Sequence, residues 1–439
     1  MTSFALPVCG PDDIVADIVS AIGPTKALLI GMQADPRPAI ATLQELTPDM
    51  VCFVLDEAHK SVAESEIHPA LVRMPQRWDW IMLPDIQSFA SCHKTLAHHL
   101  PGLLSTWGVL PGELAIDLTG STPAMASAMT LVGFPFTHSI RLTPDLSLET
   151  PPGSTATDGK PQSSTPSEEN PWDEEAPRLR QEACQLFNQG AFEAAAKIFH
   201  ILEHRISGGS KPMYRALADV ANGYALWDQH LYRQAWEKLK GGIKALELAA
   251  VWGGPPGMDR LIKSLKTNAS FLERIVLDVK EIKPAIALDL LAWAKRRGDR
   301  HRELEPATRT LLRALEAFSQ AQLFSKHQIK SWDVNPDQLP EALRETCRTR
   351  YRNEVDGKYR LPLHGQLMAL DGFGDSMGQQ FMRDWPKLKT LFDAADHSIL
   401  GGGFEPIKAE RFQQLFEAVL KYSGVTLSDL PDFPVFHLA

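Results

Sequence analysis

The chain has 439 residues, 44% hydrophobic and 23% charged, the proportions of an ordinary globular protein; they exclude wholesale disorder, a collagen-like repeat and a small disulfide scaffold. At roughly 100–200 residues per domain, the length gives two or three domains. Asp and Glu number 54 against 45 Lys and Arg, a net charge of −9, which excludes a uniformly basic nucleic-acid coat but not a local basic groove.

The first residues, MTSFALPVCGPDDIV, lack the basic and long apolar regions of a signal peptide. No stretch approaches the 18 or more apolar residues of a membrane helix. Cys9, Cys52, Cys92, Cys184 and Cys347 are odd in number, widely spaced and without a CxxC pair. Buried thiols in a reducing compartment fit them better than disulfides or zinc. The expectation is a soluble, cytoplasmic protein without membrane partner, metal or cofactor.

Residues 1–150 alternate short apolar runs with helical patterns. Strands are predicted at Lys26–Ile30, Met50–Leu55, Trp80–Leu83 and Leu114–Leu118, with helices such as Ile86–Leu104 and Thr122–Gly133 between them. Unbroken apolar strands alternating with helices mean a parallel sheet covered on both faces, so a Rossmann-like α/β domain. Its ligands are expected beyond the carboxyl ends of the strands, where Gly31 and Gly120 fall. Residues 151–177, rich in Pro, Ser, Thr and acid, read as a disordered linker because they have little apolar surface to bury.

From 178 onward no strand run occurs, and an all-α region is predicted. A helical connector over 178–280 has patterns at Leu179–Ile206 and Met213–Gly242, each broken by a turn. Phe192–Ala195 and Tyr232–Ala235 share a spacing after those turns, as in tetratricopeptide-like hairpins. Over 281–439 helices fit Pro284–Arg297, Leu304–Ser325, Pro340–Arg352, Leu361–Leu370, Gly378–Ala394 and Ala409–Ser423.

Two turns carry candidate chemistry. Gly31-Met32-Gln33-Ala34-Asp35-Pro36 follows the first strand, and Asp117-Leu118-Thr119-Gly120-Ser121-Thr122-Pro123 follows the fourth. Glycine permits a sharp turn that exposes amides, and a Pro-initiated helix N-terminus attracts phosphate. By residue type alone, two ordinary strand-to-helix turns with Ser/Thr caps remain open. Lys295-Arg296-Arg297 with Arg300 and Arg302 is a basic run that fits either a solvated helix end or an RNA contact.

The sequence resembles the CRISPR-associated CARF proteins of the type III ancillary class, in the branch with a C-terminal six-helix, HEPN-like domain. The resemblance rests on GMQADP, the strands VCFVL and WIML ending near Asp85, and DLTGSTPAM; it continues through NGYALWD with Tyr232 and Ala235, DLLAWAKRR, RTLLRALEAFSQ and YRLPL. Relatives usually read Asp-x-Thr-Gly-Gly-Thr-Lys-x-Met at the fourth-strand turn, where this chain has Ser121 and Pro123. The resemblance implies a homodimer that binds cyclic oligoadenylate, with Gly31, Met32, Gln33, Asp35, Asp85, Thr119, Gly120, Ser121 and Thr122 as the ligand-binding set. It further implies a HEPN domain that cuts single-stranded RNA without metal, through an Arg and a His a few residues apart.

At that pair the chain departs from its relatives. They read approximately Arg-Asn-x-Ser-Ile-Leu-Ala-His-Gly, whereas here Ala395 stands for the Arg and Gly402 for the His, with Ser398-Ile399-Leu400 and Gly403 kept. Three readings stay open: an inactive domain that binds or dimerises, a rearranged site using His397 with Arg383, Arg313 or Glu316, and cleavage of the bound ring by the CARF pocket. A plain scaffold without ligand is a further alternative. His397 equally fits a helix-end histidine bonded to backbone, and Arg313–Glu316 an intrahelical ion pair.

Overall fold

The computed structural model describes residues 25–143, 167–251, 253–278 and 282–438. It divides into two compact units: one holds the N-terminal residues to Ala183 with Lys197–Arg215, the other Cys184–Ala196 with Ala216 onward.

The first unit contains β1 (Ala27–Gly31), α1 (Arg37–Leu46), β2 (Met50–Leu55), α2 (Glu57–Val62, extended by a π-helical turn over Ala63–Ile67), β3 (Arg77–Met82), α3 (Phe89–Trp107), β4 (Leu114–Asp117), α4 (Pro123–Gly133), β5 (Thr137–Leu142) and β6 (Ser167–Glu169). The sheet order is β3-β2-β1-β4-β5-β6. The first five strands are parallel, and β6 pairs antiparallel with β5. Alternate residues of the apolar strands feed two cores. Leu29, Cys52, Val54 and Ile116 pack with Leu96, Leu100, Ala128 and Met129 of α3 and α4. Leu28, Ile30, Val51 and Phe53 pack with Ala39, Leu43 and Ile67 on the other face. This is the expected sheet covered on both sides.

Two strands escape an apolar reading. In β5 the buried positions are Thr137, Ser139 and Arg141; the Thr137 hydroxyl donates to Leu114 O at 2.8 Å, and Arg141 pairs with Glu45 at 2.7 Å. The expected linker at 151–177 extends too far. Its residues 151–166 lie outside the described residues, but Ser167–Glu169 form β6 and Pro171 already opens α5 (Pro171–Asn188). Pro171 sits where a missing N–H costs nothing, and Trp172 and Ala176 are buried.

The remaining elements are α6 (Phe192–Arg205), α7 (Lys211–Asp228), α8 (Tyr232–Val251), α9 (Met258–Val276), α10 (Pro284–Asp299), α11 (Leu304–His327), α12 (Glu341–Arg350), α13 (Leu363–Gly372), α14 (Ser376–Asp396) and α15 (Ala409–Ser423). The turns before Phe192 and Tyr232 match one another. Gly190 and His230 occupy equivalent places with φ of 84° and 60°, and Ala195 and Ala235 are fully buried one turn further on. One core of the second unit gathers α10, α11 and α13–α15 around Leu291, Leu311, Leu315, Leu367, Phe381 and Val419. Its other anchor is Asp289, which is fully buried and accepts from Trp227 Nε1 at 2.8 Å and Tyr232 OH at 2.9 Å.

Candidate functional site

At the carboxyl edge of the sheet, the loops after β1 and β4 meet where the strand order reverses, the position at which open α/β sheets bind ligands. They meet glycine to glycine. A methyl group on Gly120 would stand 2.6 Å from Gly31 O, and one on Gly31 would overlap the Ser121 hydroxyl. A larger residue at Gly120 meets backbone and forces the loops apart, whereas one at Gly31 must displace the Ser121 side chain. Gln33 Nε2 donates across the junction to Gly120 O at 3.4 Å.

The β4 turn is braced from beneath by Asp117, only 1% exposed. Its carboxylate accepts from Thr42 Oγ1, from Thr119 N at 2.9 Å and from Thr119 Oγ1 at 2.6 Å. Thr119 Oγ1 in turn accepts from Thr143 N at 3.0 Å. Thr122 caps α4, accepting from Met125 N at 3.1 Å and donating to Ile86 O. The hydroxyls of Thr119 and Thr122 are therefore structural ties rather than groups left over for a ligand. Among the described residues, the amides of Gln33, Ala34 and Gly120 donate to no protein acceptor.

The sequence-predicted ligand residues sort accordingly. Gln33, Thr119, Gly120 and Ser121 are half-buried at the junction, and Asp35 and Asp85 are exposed on the loops after β1 and β3. Met32 and Thr122 have buried side chains, so these two offer a ligand backbone alone. The Asp35 carboxylate is taken by the Arg37 guanidinium at 2.6 Å and by Arg37 N at 3.0 Å, and the hydrogen bond from that side chain holds it below the usual carboxylate range.

The second place of interest is the loop after α14. Ala395 is fully buried, and its carbonyl accepts from Arg309 Nη2 and from Ser398 Oγ at 2.8 Å. Arg309 Nη1 also reaches Asp396 at 3.5 Å. Gly402 has φ of 99°, a left-handed turn that disfavours a side chain, and a methyl on Gly401 would overlap the Arg309 guanidinium. One turn before Arg309, Glu305 accepts from Leu400 N at 3.0 Å and Ile407 N at 2.7 Å. Burial raises the Glu305 pKa, but those two amides, Ser398 and Arg309 outweigh it, and the carboxyl stays below its ordinary value.

The residues singled out by sequence as a rearranged site have other partners. His397 caps α14, with Nδ1 2.7 Å from Asp393 O. Arg313 bonds Glu316 at 3.3 Å and Gln320 at 3.2 Å on its own helix. The cation that reaches residue 395 is Arg309, one turn earlier on α11. Glu305, Arg309 and Arg313 recur at four-residue spacing, a signal that placed all three on one face without saying which would touch the loop.

Comparison with known proteins follows these divisions. Residues 176–272 match the family model described as the Csm6 6H domain, and residues 278–426 match the Csm6 HEPN domain, together more than half of the chain. The 6H description thus falls on the segment read as a connector rather than on the one after residue 281. No match is found among curated proteins. Among solved structures the fold resembles Enterococcus italicus Csm6 bound to cyclic hexa-2'-fluoro-hexa-dAMP, with a TM-score of 0.52 and 11% identity over 92% of this chain and 96% of that one. With consecutive Csm6 domains in its helical part and a five-stranded parallel α/β domain ahead of them, the chain belongs to the Csm6 family of type III CRISPR-associated proteins, in which a CARF domain is joined to a HEPN domain.

Proposed function

We propose that the protein is a sensor in type III CRISPR defence: its CARF domain binds cyclic oligoadenylate at the β1–β4 junction and thereby controls the HEPN domain. The observation that carries this reading is the close approach of Gly31 and Gly120 at the strand-order reversal, beside amides with no protein acceptor. Backbone N–H groups left without a protein acceptor at such a turn can bind phosphate oxygens without a cation. A ring of like nucleotides suits a two-fold axis, where both protomers of a homodimer offer the same loops, and binding then shifts dimer geometry. Isothermal titration with cyclic tetra- and hexa-adenylate tests the reading; binding of neither ring at micromolar protein refutes it.

For the HEPN domain we infer a ligand-controlled binding or dimerisation module in place of the family's Arg/His ribonuclease. An alanine buried at 395 holds no phosphate and a glycine at 402 moves no proton, so neither charge stabilisation nor proton transfer is available from those positions. One observation favours the rival ribonuclease reading: the Arg309 guanidinium stands at the Ala395 carbonyl, two residues from the exposed His397. Incubating labelled single-stranded RNA with protein and ring, without metal, separates the two. Cleavage lost in both Arg309→Ala and His397→Ala favours the enzyme; intact RNA favours the module.

A further inference from the structure

We propose that Trp172 is the joint that passes the state of the β4–α4 turn to the first helix of the 6H segment. This rests on the ring-binding reading above and concerns how that site is read out. The turn connects to residues 169–172 by two routes. Along the strands, Leu118 N donates to Arg141 O at 2.9 Å and Thr143 N to Thr119 Oγ1 at 3.0 Å, fixing the turn to the end of β5. Strand β5 pairs with β6, Ile140 opposite Glu169, and only Asn170 separates β6 from α5.

Along the other route, α4 starts at the turn and ends at Gly133. The next residue, Phe134, stacks on Trp172 with ring centroids 4.7 Å apart and planes at 21°. Trp172 Nε1 donates to Phe134 O at 3.2 Å. The indole, 5% exposed, also carries the Arg205 guanidinium 4.2 Å from its ring centroid, at the end of α6. Asn170 closes the arrangement: its Oδ1 accepts from Trp172 N at 3.1 Å, and its Nδ2 donates to Arg205 O at 2.7 Å.

A single ring therefore touches the far end of the ligand-loop helix, the start of α5 and the end of α6. Close-packed side chains transmit a shift of one partner to the others instead of absorbing it. A ligand that binds one placement of the turn better biases all three elements by that difference in affinity. A tryptophan serving as core filler alone predicts lost stability on substitution, with any ligand response intact.

Deuterium exchange of the full chain, with and without cyclic hexa-adenylate, and titration calorimetry test the joint. In the wild type the ring protects 118–122 and changes exchange in 171–183 and 197–205. Trp172→Leu binds the ring within about threefold of wild type and still protects the turn, but α5 and α6 no longer respond. Trp172→Phe, which keeps the stacking and loses the Nε1 bond, keeps part of the response. Should Trp172→Leu fail to fold, Arg205→Gln serves instead: it removes the cation and leaves the stacked pair, so the response in 197–205 alone falls. A full helical response in Trp172→Leu or Arg205→Gln overturns the proposal. So does loss of ring binding by folded Trp172→Leu, or a wild-type response confined to the turn. A wild type that binds no ring overturns the ring-binding reading instead.

Discussion

Gly120→Ala is the sharpest single perturbation of the loop junction. The added methyl stands 2.6 Å from Gly31 O and 3.5 Å from Met32 Cα. Carbon and carbonyl oxygen approach comfortably to about 3.3 Å, so the loops must part by about 0.7 Å. The obstacle at Gly31 O is backbone, and no side-chain rotation relieves it. Overpacking of this kind costs about 1–3 kcal/mol, which lowers the melting temperature of a unit of this size by roughly 2–4 °C per kcal/mol. The displaced amides lose their aim, and ring affinity falls at least about tenfold, about 1.4 kcal/mol. The assay is titration with cyclic hexa-adenylate alongside a melt. Position 31 supplies the control. There the methyl meets the Ser121 side chain and Met129 Sδ at 3.1 Å, both movable. Gly31→Ala weakens binding as well, and Ser121→Gly in the same chain restores most of the loss. Wild-type affinity and melting in Gly120→Ala, or no rescue by Ser121→Gly, refutes the reasoning.

Three further outcomes are expected. Asp289→Ala leaves Trp227 Nε1 and Tyr232 OH without their acceptor and removes one of the carboxylates that oppose the buried Arg296; each buried donor left unpaired costs about 1–3 kcal/mol, and denaturant unfolding that moves by less than about 1 kcal/mol contradicts this. The folded pKa of Glu305 lies below its unfolded value of about 4.3, so its hold on Leu400 and Ile407 is complete above that value and fades as pH falls through the folded pKa; exchange at residues 398–407, corrected for intrinsic rate, rises in acid in the wild type and is raised already at neutral pH in Glu305→Gln. Restoring the family residues by Ala395→Arg with Gly402→His yields no ribonuclease, because position 395 is fully buried and position 402 is left-handed; metal-free cleavage of labelled RNA by that double variant contradicts the geometry.

Periodicity made most of the fold legible. The apolar runs of β1, β2 and β4 are buried along their whole length, and the helices from α10 to α15 fall within a few residues of their predicted bounds. Strand β5 was hidden because its inward residues are Thr, Ser and Arg, satisfied by hydrogen bonds and an ion pair that no hydropathy pattern displays. Helix α9 lies beyond the two predicted hairpins, although Leu261, Ile262, Leu265, Phe271, Leu272 and Ile275 recur at helical spacing. At the rim, sequence singled out the loops after β1 and β4 but could not show which hydroxyls the fold consumes. Thr119 and Thr122 are tied to Asp117, Thr143, Met125 and Ile86 by contacts 2 to 36 residues distant in the chain. That Arg309, which the sequence did not single out, reaches the loop after α14 depends on where α11 meets that loop, a tertiary fact with no local signature.

Titration calorimetry of the wild-type chain with cyclic hexa-adenylate, beside Gly120→Ala, addresses the sensor account most directly. The account predicts saturable binding at one ring per two chains in the wild type and an affinity lower by at least about tenfold in the variant. Absence of heat with both the hexa- and the tetra-adenylate rings, or equal affinity in both proteins, contradicts it.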